Sequence, residues 1–147
     1  MKTILRLTLL LAAFTVLLAT GRAERASFQG ILITASNERG QTDGRLAQYE
    51  PTLRRILRFE SFHYVGADGT SLDVPASGNL SLGRGHELEI ETERSDGKAV
   101  HVKVRWTSGG RVFMNTGLVL RPGVPAVLGG PSTGNKGEVY AVLLIGR

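Results

Sequence analysis

The sequence predicts an all-β domain, an antiparallel β-sandwich or flattened barrel of about eight strands with one short helix, preceded by a signal peptide. Three observations predict it. His86–Glu93 (HELEIETE) and Lys98–Thr107 (KAVHVKVRWT) alternate apolar and polar residues with the two-residue period of a half-buried strand. Gly/Pro-rich breaks divide the remaining chain into short β-rich runs. Beyond the leader, only Pro51–Arg58 (PTLRRILR) carries helical spacing.

The leader comes first in chain order. Lys2 and Arg6 form a positive start, Leu7–Ala19 is an apolar run, and Ala19, Gly21 and Ala23 supply the small residues of a cleavage site. The run is too short for a membrane span of roughly 20 residues. Residues 1–23 are therefore expected to be a signal peptide, the alternative being an uncleaved N-terminal anchor, and 24–147 a single domain, exported to the periplasm or cell surface. The domain then has no membrane span of its own. Removing residues 1–23 takes away Lys2, Arg6 and Arg22 and no acid, so the net charge falls from +5 to +2. That balance argues against a strongly basic nucleic-acid binder. The chain has no cysteine, which excludes thiol catalysis, thiolate metal sites and disulfides. The domain must rely on its core.

Phe28–Ser36 reads as the first strand and residues 36–45 (SNERGQTDGR) as a loop. In the helix, Pro51 suits a first position, and Leu53, Ile56 and Leu57 share one face. Arg54, Arg55 and Arg58 then form a basic face, either simply solvated or available to an acidic partner. Phe59–Val65 is a strand broken by Gly66–Gly69, and short strands flank the Pro75–Gly78 turn.

The two alternating segments are read as a hairpin. A three-residue loop, Ser95-Asp96-Gly97, keeps the apolar faces together and places Ile90 opposite Val102, Leu88 opposite Val104, Glu91 opposite His101, Glu89 opposite Lys103 and Glu87 opposite Arg105. The glutamates then form a ladder of surface charge pairs. A second three-residue loop, Ser108-Gly109-Gly110, places Trp106 opposite Val112 and Val104 opposite Met114, leaving Phe113 on the outer face. His86 is positioned to approach Trp106. Ala126–Gly130 precedes a final strand, Glu138–Ile145, whose continuous apolar run from Val139 suits cover on both faces.

Leu128–Gly137 (LGGPSTGNKG) has the composition of a phosphate loop but not its order: Asn135 stands where lysine is required, and no helix follows. It is read as a turn whose polar tip, Ser132, Thr133, Asn135 and Lys136, is a candidate partner contact. His63, His86 and His101 fall on separate strands without metal-ligand spacing, and no G-x-S-x-G elbow occurs. Glu60 and Asp73 are carboxylates without a visible partner. No residue qualifies as catalytic, metal-binding or cofactor-binding, and no cofactor is expected.

Residues 31–65 and 111–147 resemble a group of small uncharacterised exported bacterial β-domain proteins. The second stretch is also similar to strands of secretins, the outer-membrane rings of secretion systems, through Leu118–Leu120, Pro122-Gly123 and Val127–Gly130. No membrane-spanning strand of a secretin is recognisable, so neither a pore role nor any catalytic residue is carried over from the resemblance. Sparse polar chemistry beside plentiful strand edges leads instead to the expectation of a non-catalytic interaction or accessory module, with an envelope or secretion assembly as its setting, protein partners and no nucleic acid. A sandwich has strand edges open to a partner strand, and the final strand is the place to seek one if it is uncovered. The alternatives are a small-ligand or glycan-binding domain using loops 36–45 and 129–137, and, less favoured, a hydrolase.

Overall fold

A computed structural model describes residues 24–147. The predicted signal peptide lies outside the described residues. The elements are β1 (Glu24–Ser36), a 3-10 helix (Gly44–Tyr49), α1 (Glu50–Leu57), β2 (Ser61–Val74), β3 (Ala76–Gly83), β4 (His86–Asp96), β5 (Ala99–Ser108), β6 (Arg111–Leu120), β7 (Ala126–Ser132) and β8 (Glu138–Gly146). They form two four-stranded antiparallel sheets, ordered β2-β1-β8-β7 and β3-β4-β5-β6. The all-β sandwich with eight strands and a short helix is as the sequence predicts.

The central strands β1 and β8 are apolar on both faces. Ala26, Phe28 and Leu32 join Val142 and Leu144 in a core shared with Leu80, Leu82, Leu88, Ile90, Val102, Val104 and Trp106 of the second sheet. The alternate residues Ile31, Ile33, Ala35, Ala141, Leu143 and Ile145 face the opposite way, onto Leu46 and Leu53. Each fully buried Leu, Ile or Val contributes about 1.5–3 kcal/mol, so exposing this second face would be costly. The helical layer is what covers it. Glu138–Ile145 is therefore an interior strand, with β1 and β7 on its two sides. It offers no edge to a partner.

The helical segment is longer than predicted. Asp43 accepts a hydrogen bond from Arg45 N and caps a 3-10 turn before α1. Leu46 and Tyr49 from that turn share the cover with Leu53 and Leu57, and Ile56 is left exposed rather than buried. β2 is likewise longer, running through Gly66–Gly69 without a break. At Gly66 a β-carbon would overlap the Leu82 carbonyl oxygen, so the glycine admits the β3 backbone rather than ending the strand. Asp68 accepts hydrogen bonds from Gly69 N and Ser81 N (2.8 and 3.0 Å), and buried Thr92 Oγ1 joins Asp73 O and Ala76 N (2.7 and 2.8 Å). The β2 and β3 edges are thereby drawn together.

Both predicted hairpin registers are displaced by two residues, with parity kept. The β4–β5 turn is two residues, Gly97-Lys98, between Asp96 and Ala99, with Gly97 at φ 66°. Alone it would oppose core and solvent residues. On the turn side Arg94 meets His101; a bulge at Glu93 then restores the match, so Leu88 meets Trp106, Ile90 meets Val104, Glu89 meets Arg105 and Glu91 meets Lys103. The β5–β6 turn is Gly109-Gly110, with φ 57° and 79°, and a bulge at Phe113 repeats the correction. Trp106 then meets Met114 and Val104 meets Thr116. Phe113, expected outside, packs on the core, and Val112, expected inside, is exposed.

Gly130 closes the far side. A β-carbon there would overlap the Trp106 ring and lie 2.9 Å from Tyr140 O, whereas one on Gly129 would meet only Leu57 Cδ2 at 3.8 Å. Gly130→Val should destabilise the fold by about 1–3 kcal/mol in urea unfolding through overpacking. Gly129→Ala should change it by less than about 0.5 kcal/mol, and equal losses at the two glycines would contradict this packing.

Candidate functional site

The loop that mimics a phosphate site turns its polar groups on itself. Thr133 Oγ1 donates to Glu138 Oε1 at 2.8 Å, and Asn135 Nδ2 donates to the same oxygen at 3.2 Å. Gly134 N and Asn135 N donate in turn to Ser132 Oγ and Thr133 Oγ1. Three of the four predicted contact residues thus shape the turn. Lys136 is exposed and, among the described residues, has no salt-bridge partner. Asn37 N donates to Gly137 O at 3.0 Å, so this loop and loop 36–45 lie at the same end of the sandwich.

The basic helix face is only partly free. Arg54 bonds Glu50 at 2.9 Å, Glu60 O at 2.7 Å and approaches the Glu60 carboxylate at 3.8 Å, so it braces the helix against the next strand. Arg58 is exposed and ends α1 in the left-handed conformation at φ 55°, and Arg55 is exposed beside Ile56. Nearby, Arg45 stacks 4.0 Å from the Tyr64 ring centre and forks onto Asp43, holding that carboxyl well below the usual range by hydrogen bonding. Tyr49, Phe59 and Tyr64 all pack against the core that the helical layer covers.

The histidines remain apart. His63 is exposed on β2; His101 lies 3.9 Å from Asp96 instead of facing Glu91. His86 is buried and does approach Trp106 as expected, accepting a hydrogen bond from indole Nε1 through Nδ1 at 3.0 Å. Its ring centre is 4.5 Å from Tyr140 and 5.9 Å from Phe113. Burial, then the nearby Arg84, push its pKa down. This neutral imidazole is a structural plug between the sheets. Glu60 and Asp73 pair with Arg54 and Arg25 respectively rather than with another acid. No group of three or more potential metal ligands occurs among the described residues.

The strand edges differ sharply. β2 and β3 are tied to one another through Asp68 and Thr92. β7 is short and contains Gly129, Gly130 and Pro131, with an irregular register. Among the described residues β6 pairs only with β5; it has ten residues without proline and is bulged only near its start. Val112 and Val119 on β6, and Val124 just after it, are more than half exposed (55%, 53% and 58%). Pairing with Thr107 and His101 puts Val112 and Val119 on the outer face of the sheet. Strand order places this edge, and nothing local in the sequence singled it out.

Comparison of the chain with protein-family models, curated proteins and solved structures finds no match.

The plugged histidine has a pH consequence. Because the folded pKa lies below the ordinary value of 6.5, the unfolded chain takes up a proton first. Stability is complete above pH 6.5 and falls as pH drops through that value toward the folded pKa. The thermal midpoint should decrease from pH 7.5 to pH 5, and His86→Asn, which keeps an acceptor for Trp106, should flatten that decrease. Parallel pH profiles for the two proteins would exclude His86 as the cause.

Proposed function

We propose that the chain is an exported, non-catalytic interaction or accessory module of an envelope or secretion assembly, engaging a protein partner along β6. What supports this is the β6 edge, unpaired among the described residues, with its exposed valines. A monomeric fold ordinarily covers, shortens or charges such an edge, and here only the first turn of the strand is bulged. An added strand would satisfy the backbone groups of β6 and extend the second sheet, as in other β-augmentation complexes. The secretin-like cadence of residues 118–130 includes β6's end and the following β7, and it favours an envelope or secretion setting. The loop tip at Lys136 and the helix arginines Arg55 and Arg58 belong to other elements and would serve as secondary contacts.

Val112→Ser with Val119→Ser removes the exposed apolar side chains beside the edge without changing its charge. The immobilised double variant should lose the partner that the native chain captures from a cell-envelope extract, with thermal unfolding unchanged within about 0.5 kcal/mol. Equal capture by both proteins would rule out the β6 edge as the contact.

A further inference from the structure

We infer that the segment received by β6 is an extended strand carrying carboxylates at both ends; this rests on the edge reading above. The inference comes from how charge is distributed along the chain. From Gly97 to Gly137 there is no Asp or Glu, whereas Lys98, Lys103, Arg105, Arg111, Arg121 and Lys136 all fall within it. These residues build β5, β6 and β7, so the side of the sandwich bearing the free edge is cationic. Two of the cations are already matched on the outer face, where Arg105 bonds Glu89 at 2.7 Å and Lys103 sits opposite Glu91. Arg111 and Arg121 are different. Both are exposed, and among the described residues neither has a salt-bridge partner.

Their placement is informative. Arg111 opens β6 and Arg121 follows its last residue, so they bracket the edge, about 30 Å apart along an extended strand. Beside Arg121 an open groove of about 580 Å³ is lined by Lys98, Val119, Pro122, His101 and Asp96. Asp96 is the one acid there, and it stands 3.9 Å from His101. An incoming strand of similar length thus meets an arginine at each end and exposed valines between them. Carboxylates at those ends would pair with both, and residues between them would alternate so that apolar side chains lie on the Val112–Val119 face.

The same charges disfavour a second copy of this chain. Antiparallel pairing of two β6 strands end to end sets Arg111 opposite Arg121, and parallel pairing sets each against itself. Like charges oppose either way. A nucleic acid offers anions but no peptide groups to complete the sheet.

The test uses the full chain and synthetic peptides of about twelve residues, the length of this edge with its flanks. One peptide has an alternating Thr/Val centre with two acidic residues at each end. Its counterparts carry Gln or Lys at the ends, and a fourth is the acid-ended peptide N-methylated at alternate centre residues. Calorimetry or anisotropy should show the acid-ended peptide binding roughly ten-fold tighter than the Lys-ended one, more weakly as salt rises. Arg111→Glu with Arg121→Glu should reverse that order, and N-methylation should abolish binding. Equal affinity for acid-, Gln- and Lys-ended peptides would overturn the charge assignment while leaving the edge reading intact. Binding indifferent to N-methylation, or matched by an oligothymidylate, would overturn the strand-addition form of the inference. Binding of none of the peptides would overturn the inference itself; the charge-neutral valine-to-serine capture experiment judges the edge separately.

Discussion

Two strands that are apolar on both faces govern this structure. β1 and β8 alternate core residues to either side, so their sheet must be covered twice. The second sheet covers one face with Leu80, Leu82, Leu88, Ile90, Val102, Val104 and Trp106, and the 3-10 turn and α1 cover the other with Leu46 and Leu53. Among the described residues, the two sides of the sandwich are treated differently. One side is closed by contact between β2 and β3, where Gly66 admits the Leu82 carbonyl and Asp68 accepts from Ser81 N. The other side has β7, shortened and broken by proline, next to β6, which is neither.

The second sheet shows how side-chain period constrains the backbone. Leu88, Ile90, Val102, Val104 and Trp106 must face inward together, because a slip of one residue would exchange them for glutamates, lysine and arginine. A two-residue turn at Gly97-Lys98 closes the hairpin out of phase, and the bulge at Glu93 brings it back. Gly109-Gly110 and Phe113 repeat the combination in the next hairpin. The second bulge also carries Phe113 inward to His86 and Trp106, while Val112 is left outside. A device that preserves the core therefore also shapes the surface beside the edge.

The sequence made the faces of these strands legible, since alternation is a local property. It also made β8 legible as a strand buried on both sides. Pair identities were not legible, because a three-residue turn and a two-residue turn with a bulge give the same parity. The continuity of β2 through Gly66–Gly69 was hidden for a similar reason: its glycines answer to Leu82, far along the chain. In LGGP the steric role of Gly130 depends on Trp106, again distant in sequence. Of the candidate contacts, Ser132, Thr133 and Asn135 have hydroxyl or amide groups engaged in their own turn, and Arg54 is held by Glu50 and Glu60. The β6 edge depends on strand order, which local pattern does not encode. The acid-free run from Gly97 to Gly137 was visible in the sequence but acquires meaning only once that run is placed on one side of the sandwich.

Residue-resolved amide hydrogen exchange on the isolated chain tests the open β6 edge most directly. Along Met114–Leu120, amides directed at β5 should be protected and those between them should exchange orders of magnitude faster, while Ser81 N, held by Asp68, should be slow. Uniform protection along β6, equal to that of the interior strand β8, would mean that the edge is already covered and would contradict the account.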